Sequence, residues 1–191
     1  MVTVDSIFAD TIEIKQSKFM SFLIPMALYE EEMKRLREKH PKAVHFVSAY
    51  RMLNEFDQIA EYSGDDGEPK GTSGKPTLSV LQGHEFINTA IITVRYFGGT
   101  KLGPGGLVRA YAEAANAAVT LAHIRVYEKL FQYQVQCAYA TLSKLEYEAA
   151  QQSIAILHKE FTVDGALVKI EGTRERLHAF KNAMGRAISI V

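Results

Sequence analysis

The chain has 191 residues, of which 47% are apolar and 23% charged, a composition typical of a globular protein. Its 22 lysines and arginines balance its 22 aspartates and glutamates, so net charge cannot make the whole molecule a polycation that coats nucleic acid or membranes. The single cysteine, Cys137, excludes an intrachain disulfide and a multi-cysteine zinc site. No apolar stretch reaches about 18 residues, and the N-terminus alternates apolar and polar residues. We therefore expect a cytoplasmic protein with no membrane span and a local anion site.

The first part of the chain predicts alternating strands and helices. Strands are expected over residues 4–14, 19–26 and 43–53, with a turn at 16–18 and a helix over 29–40 that starts acidic and ends basic before Pro41. Residues 54–73 have almost no periodicity and carry six acids before their first base, which indicates a long functional or mobile loop. A short helix over 76–82, a buried strand over 88–97 and an alanine-rich helix over 107–122, with Pro104 in its first turn, complete this part.

The last third follows a different pattern. Strands are predicted over 129–137, 154–163, 166–171 and 187–191, and helices over 142–153 and 174–184. Asp164-Gly165 predicts a tight hairpin turn in which both residues take positive φ. The resulting order, βαββαβ, is that of the ferredoxin-like split unit. We predict an α+β protein with a domain over 1–125, a ferredoxin-like domain over 129–191 and a boundary near 124–128.

Glycine is concentrated in two windows, which hold nine of the 13 glycines. The first contains Gly64, Gly67, Gly71 and Gly74, and the second contains Gly98, Gly99, Gly103, Gly105 and Gly106. Because glycine destabilises a helix by about 1 kcal/mol relative to alanine, its presence in a first helical turn needs a reason. Either helix-to-sheet packing and positive-φ turns require these glycines, or a ligand approaches the backbone there.

The charges around the second window favour a bound anion. Lys101 lies just before the helix and Arg109 just inside it, where the partial positive charge of a helix N-terminus disfavours cations. A phosphate would reconcile these charges with the glycines. Arg95 could join them, with Tyr96 or Tyr111 as a stacking face. From residue 95 to 125 four bases stand against one acid, a local charge of +3 that suits a phosphate rather than a broad non-specific track.

Known nucleotide motifs fit poorly here. Gly74-Lys75 is followed by Pro76 instead of serine or threonine, and the spacing from Gly98 to Gly106 does not match the dinucleotide fingerprint. Asp65, Asp66 and Glu68 could hold a magnesium ion that meets a phosphate, or they could be solvated turn residues that pair with nearby lysines. His45 alternates with apolar neighbours on a strand, which favours a structural histidine over a general base. Cys137 is interpreted as a core residue.

Two motifs carry a family resemblance. The run YSGDDGEPKGTSGKPTLSVL and the later run TAIITVRYFGGTKLGPGGLVRAYAEAA closely resemble the IMPACT/YigZ family of uncharacterised and translation-linked proteins. Flanking similarity extends over nearly the whole chain and includes KQSKF and HFVSAYR. The resemblance implies an N-terminal domain like the second domain of a small-subunit ribosomal protein, and a C-terminal domain like the last domain of the translocating elongation factor.

The resemblance has two limits. Eukaryotic relatives linked to a kinase that senses uncharged tRNA carry an additional N-terminal module, so we do not expect that role for this chain. Where relatives often have a small polar residue and a cysteine around the strand histidine, this sequence has Val44, Phe46 and Val47, which weakens a catalytic role for that strand.

The leading functional hypothesis is binding of RNA or of a ribosome-associated partner, with a role in translation regulation. Its site residues are Arg95, Tyr96, Gly98, Gly99, Lys101, Gly103, Gly105, Gly106 and Arg109, and the split domain is expected to widen the surface. No nucleophile stands beside a base, so catalysis is not the leading hypothesis, and no cofactor is expected. One alternative is a metal-assisted nucleotide phosphotransferase or hydrolase that uses Asp65, Asp66 and Glu68. Another is a protein-interaction module without a ligand.

Overall fold

The computed structural model describes residues 1–191 and divides into two compact units, Met1–Tyr127 and Glu128–Val191. The first unit contains β1 (Val2–Thr3), β2 (Phe8–Ile14), β3 (Ser17–Pro25), α1 (Tyr29–Lys39), β4 (His45–Leu53), β5 (Ile59–Gly64), α2 (Gly74–Gly83), β6 (Thr89–Tyr96), α3 (Pro104–Thr120) and β7 (Arg125–Val126). The second contains β8 (Phe131–Cys137), α4 (Tyr139–Gln151), β9 (Ala155–Phe161), β10 (Ala166–Gly172), α5 (Arg174–Met184) and β11 (Ile188–Ile190). None of the five helices combines the length and the hydropathy that a membrane span requires.

The first unit is built around one antiparallel sheet with the strand order β2-β3-β6-β4-β5. Seven of the eight residues of β6 are buried, because helices cover both faces of the sheet at its centre. Ile92 and Val94 of β6 pack with Leu36 of α1 on one face. On the other face, α2 and α3 pack against the alternate residues of the same strands. Ile91 of β6, for example, lies in the same cluster as Ala115 of α3. The alternation of β6 therefore decides which side chains reach which helix layer.

The stretch 54–73, expected to be one long loop, contains β5, which pairs with β4 along its full length. The Asn54 side chain closes the hairpin by accepting hydrogen bonds from the backbone amides of Phe56 and Gln58, each at 2.9 Å. Tyr62 stacks on Tyr50 across the strand pair, with ring centroids 5.0 Å apart. The prediction was wrong because β5 is an edge strand with little burial, so its sequence carries no apolar alternation.

The second unit has the antiparallel strand order β11-β8-β10-β9, with α4 and α5 in the two crossovers. This is the ferredoxin-like βαββαβ arrangement, and the fold class predicted from the sequence is confirmed. Its core contains the inward residues of β8 and β10 together with Leu145 and Phe180 of the helices. The unit thus has a hydrophobic core of its own.

The hairpin between β9 and β10 differs from the predicted tight turn. Neither Asp164 nor Gly165 has positive φ, and the loop is closed by a hydrogen bond from the Thr162 amide to the Gly165 carbonyl at 2.8 Å. A Cβ atom on Gly165 would lie 2.1 Å from the carbonyl oxygen of Cys137. Gly165 is therefore required by its close approach to β8 and not by its φ angle.

We predict that residues 128–191 fold in isolation, because their buried cluster uses no residue of the first unit. The fragment is expected to show mixed α/β circular dichroism and a single sigmoidal urea transition with an m value near that of other domains of its size, about 1 kcal/mol/M. The intact chain provides the reference spectrum. A fragment that loses its signal linearly with urea would show that the second unit needs the first to fold.

Candidate functional site

A cavity of about 460 Å³ lies where β6 ends and α3 begins. Its walls are largely apolar and come from the segments around β4, β6 and α3: Val44, Phe97, Leu102, Pro104 and Leu107. Four side chains with polar or charged ends also line it: His45, Glu68, Arg95 and Lys101. A concave, mostly apolar site of this size with a few convergent polar groups is the usual form of a ligand pocket.

The base of the cavity is organised by an ion pair between Glu68 and Arg95. Arg95 Nη1 donates to Glu68 Oε1 at 2.5 Å, and both side chains are almost fully buried. The hydroxyl of Tyr111, on α3, donates to the same carboxylate oxygen at 2.8 Å. Burial and the neighbouring carboxylate raise the pKa of Tyr111, so its hydroxyl keeps the proton that it donates. Three separate segments of the chain are joined at one oxygen atom.

Arg95 has a donor that the protein leaves unpaired. The residue is only 5% exposed, and its buried Nε has no hydrogen-bond partner. The guanidinium lies 5.3 Å from the ring centroid of Phe19 and 5.8 Å from that of Phe97, so aromatic rings flank it. A buried donor without an acceptor costs about 1–3 kcal/mol. A ligand that supplies an acceptor would recover part of that energy.

His45 is oriented by the loop that precedes α2. Its Nδ1 lies 2.7 Å from the carbonyl oxygen of Asp66, and since a carbonyl only accepts, Nδ1 carries the proton. The other ring nitrogen, Nε2, lies 3.8 Å from Glu68 Oε1. His45 therefore lines the cavity in a fixed orientation, which agrees with the structural interpretation while leaving Nε2 available.

Asp65 caps the start of α2. Its Oδ1 accepts from the Ser73 hydroxyl at 2.7 Å and the Gly74 amide at 2.8 Å, and its Oδ2 accepts from the Gly71 amide at 2.7 Å. Burial alone would raise the pKa of Asp65, but these hydrogen bonds outweigh it and hold the pKa below its ordinary value. A Cβ on Gly74 would lie 2.9 Å from the Gly64 backbone, so this helix start also packs directly on β5.

Asp66 points away from Asp65 and Glu68. Its Oδ2 accepts from the Phe46 amide at 2.6 Å and its Oδ1 from Arg37 at 3.0 Å. The three carboxylates considered as magnesium ligands are thus spread over three sets of protein donors, and no group of three or more potential ligands converges on one point. The loop that carries them is tied to the fold at each acid.

The glycines of the second window have different roles. A Cβ on Gly98 would lie 2.0 Å from the backbone of Gln16, so packing against the β2–β3 turn requires glycine there. Gly99 and Gly103 have φ values of 86° and 71°, which explains them by conformation. A Cβ on Gly106 would lie 3.1 Å from the Cβ of Leu102. Gly105 alone has ordinary φ and open space beside it, with only Arg109 Nη1 within reach at 3.8 Å.

The start of α3 has no internal cap. Its N-cap residue is Gly103, no side chain bonds to its first amides, and its first turn contains no acid. By contrast, α1 has three acids in its first turn and α2 is capped by Asp65. The Arg109 side chain folds back beside Gly105, as predicted from the lean of helical side chains, while Lys101 lines the cavity. This helix start therefore has free amides, with Arg109 beside Gly105 and Lys101 in the adjoining cavity.

Two aromatic residues do not take the stacking role proposed from sequence. Tyr96 lies on the α1 face of the sheet, opposite to Arg95, and its hydroxyl is 2.9 Å from His40 Nδ1. Tyr111 is fully buried beneath the ion pair. Phe97, which sequence reasoning missed, lines the cavity with 49% of its surface exposed. Side chains alternate between the two faces of a strand, so the sequence alone could have placed Arg95 and Tyr96 on opposite faces of β6. No local sequence pattern, in contrast, predicts the ion pair between Arg95 and Glu68.

The lone thiol takes no part in this site. Cys137 belongs to the core of the second unit, and burial raises the pKa of its thiol, which keeps it protonated and unreactive. Its interpretation as a core residue agrees with the structure.

Comparisons with known proteins place this site in a family. The family model for the Impact N-terminal domain matches residues 15–119. An IMPACT family member from Haemophilus influenzae is 32% identical over 159 residues, which cover 82% of this chain and 77% of that protein. The IMPACT family member YvyE from Bacillus subtilis is 36% identical over 150 residues, 76% of this chain and 67% of that protein. The cavity-lining residues from Val44 to Leu107 lie inside the matched range.

A solved structure extends the similarity to the complete fold. The crystal structure of a hypothetical protein matches 100% of this chain and 95% of its own, with a TM-score of 0.68 and 26% sequence identity. The similarity to a known structure therefore covers both units.

Replacing Asp65 with alanine is expected to destabilise the first unit by about 1–2 kcal/mol at neutral pH, because the buried start of α2 loses its acceptor. Since the folded-state pKa of Asp65 is lowered, its contribution is present above the unfolded-state pKa of about 3.9 and is lost as the pH falls through the folded value. Urea unfolding at a series of pH values measures the difference. Glu38→Ala, on the exposed side of α1, is the control. If the difference in the free energy of unfolding between wild type and Asp65→Ala stayed constant as the pH fell into the acid range, this role would be contradicted.

Replacing Glu68 with alanine is expected to lower the free energy of unfolding by about 3–5 kcal/mol, since it leaves the buried Arg95 cation without its partner. The double variant Glu68→Leu with Arg95→Met removes both charges and should recover part of that loss. Urea denaturation of both variants tests the pair, with Glu113→Ala on the exposed face of α3 as the control. A single-variant loss as small as the control's would mean that the ion pair does not hold the loop.

Proposed function

This chain belongs to the IMPACT family, and we propose that it binds RNA by seating a phosphate group at the start of α3. The observation that carries the proposal is the uncapped start of α3, which adjoins a cavity lined by Lys101 and has Arg109 beside Gly105 in its first turn. Cations at a helix N-terminus are unfavourable by themselves and become favourable when an anion lies between them and the amides.

Gly105 supports close approach of the ligand. Of the five glycines in this window, it is the one that neither a positive φ nor a close protein neighbour requires. Its amide belongs to the first turn, and a Cβ at this position would meet only the Arg109 side chain, at 3.8 Å. An oxygen of a phosphate group can therefore reach the backbone at this point without displacing packed atoms.

Charge and family together favour RNA as the source of the phosphate. The protein as a whole is neutral. Of the four bases between residues 95 and 125, Arg95 pairs with Glu68 and Arg125 pairs with Asp5, so the charges of Lys101 and Arg109 remain near the start of α3, which suits one or two phosphates rather than a long track. The sequence resembles a family of translation-linked proteins, in whose setting RNA is the abundant phosphate polymer. We propose a partner that is RNA itself or a ribosome-associated assembly that displays RNA, and a role in translation regulation.

The open face of the second unit's sheet, where a wider binding surface was expected from the sequence, offers little support for that expectation. The open face of its sheet carries Gln132, Gln134 and Gln136 on β8, and Lys169 of β10 is offset by Glu171 on the same strand. That face has neither the aromatic platforms nor the excess positive charge of a sheet that binds single strands. The proposed site is complete within the first unit.

The alternative of a metal-assisted phosphotransferase has weaker support. Asp65, Asp66 and Glu68 each accept hydrogen bonds from the protein, and Glu68 already neutralises Arg95. Recruiting all three to one magnesium ion would uncap α2 and leave a buried guanidinium unpaired. Binding therefore explains the arrangement with fewer changes.

We predict that replacing Lys101 and Arg109 together with glutamine weakens binding to a single-stranded RNA and lowers the slope of log affinity against log salt by about one unit for each lost phosphate contact. Fluorescence anisotropy over a salt series measures both quantities. The fold should persist, because both side chains are exposed and oppose the helix dipole.

The matched control is the double variant Lys34→Gln with Lys144→Gln, which removes the same charge from exposed positions on α1 and α4. Its slope should match that of wild type. Equal affinities and slopes in all three proteins would remove the start of α3 from the binding role.

A further inference from the structure

We infer that the cavity beside the phosphate seat, the proposed phosphate site at the start of α3, binds the base of a single unpaired nucleotide. The ligand is then an extruded or single-stranded nucleotide and not the backbone of a duplex. The inference rests on the proposed function and adds to it the class of ligand. A phosphate at the start of α3 would contact only backbone amides and cations. It leaves unexplained a cavity of about 460 Å³ whose walls are mostly apolar.

The walls fit a flat ring. Phe97 and Val44, at the mouth, are 49% and 52% exposed, although large apolar side chains tend to be covered in a folded protein. Leu102 and Leu107 continue the apolar surface inward. Exposed aromatic rings beside a phosphate site are the usual stacking platforms for bases of single strands.

The charges divide the site into two zones. Glu68 lies at the base of the cavity with its charge matched by Arg95, so a phosphate placed there would face a carboxylate. Lys101 lines the cavity on the side of α3, and Arg109 lies beside Gly105. An anion is therefore favoured at the helix start, and a neutral group is favoured further in.

The polar atoms at the base of the cavity suit a ring that both donates and accepts. Arg95 Nε is a buried donor with no acceptor in the protein, and the contact of His45 Nδ1 with the Asp66 carbonyl leaves the other ring nitrogen, Nε2, free to contact a ligand. A hydrocarbon chain would leave both without a partner. Nucleobases carry donors and acceptors side by side on their edges, and proteins that hold extruded bases read them through such groups.

One nucleotide can occupy both zones because they are contiguous in the chain. Gly103 and Pro104 line the cavity, and Gly105 follows them directly in the first turn of α3. The phosphate seat and the ring pocket thus share a wall, and a base joined through its ribose to the bound phosphate can reach the cavity.

The test compares two ligands with the same number of phosphates: an eight-nucleotide adenosine RNA and an abasic ribose-phosphate oligomer of equal length. Wild type is expected to bind the RNA about tenfold more tightly than the abasic oligomer, with similar salt slopes for both. Phe97→Ala should remove that preference, and Phe56→Ala, an exposed aromatic at the β4–β5 hairpin, should retain it. Val44→Trp, which fills the mouth of the cavity, provides a second variant that also should lose the preference.

Each outcome decides between the two proposals. Equal affinity of wild type for the two oligomers, with salt slopes that still depend on Lys101 and Arg109, overturns the base pocket and leaves the phosphate seat in place. A preference that persists in both Phe97→Ala and Val44→Trp places the base elsewhere and also overturns the pocket. Failure of wild type to bind either oligomer overturns the pocket and the phosphate seat together.

Discussion

The buried carboxylate of Glu68 is the point on which the site depends. Two charges removed from water destabilise a protein unless their geometry and additional hydrogen bonds compensate, and here Arg95 and Tyr111 converge on one oxygen. The contact joins the segment before α2, the central strand β6 and the first half of α3. Because each of these elements lines or supports the cavity, the shape of the cavity follows from the ion pair.

The same constraint explains why an acidic, glycine-rich segment is ordered. Asp65 accepts a hydrogen bond from the start of α2, Asp66 accepts one from the β4 backbone, and Glu68 forms the ion pair with β6. The acids of this one segment therefore bond to three neighbouring elements. Positive φ at Asp66 and Gly67 turns the chain between these contacts, and the Asp66 carbonyl orients His45. A composition that resembles a solvated loop thus produces a rigid side of the cavity, because each carboxylate has a buried or backbone donor.

The sequence predicts the elements whose burial leaves a periodic pattern. β6 and α3 are recognisable from their apolar residues, and Lys101 and Arg109 stand out because a helix dipole opposes them. β5 was missed because it is an edge strand with little burial, so its sequence has no apolar alternation. The partnership of Glu68 with Arg95 was also missed, since residues 27 positions apart in the chain meet only in the tertiary fold. Phe97, one residue past the end of β6, has no pattern of its own, and its role is visible only from the cavity that it borders.

The position of β6 in the sheet has a consequence for how the first unit is made. β6 pairs with β3 on one side and β4 on the other, while β2–β3 and β4–β5 are local hairpins that precede it in the chain. As the chain emerges during synthesis, each hairpin can form early, but each presents an unpaired inner edge until β6 arrives to join them. Sheet completion is therefore a late, long-range event, which slows folding and leaves two apolar edges open to wrong pairing in the interval.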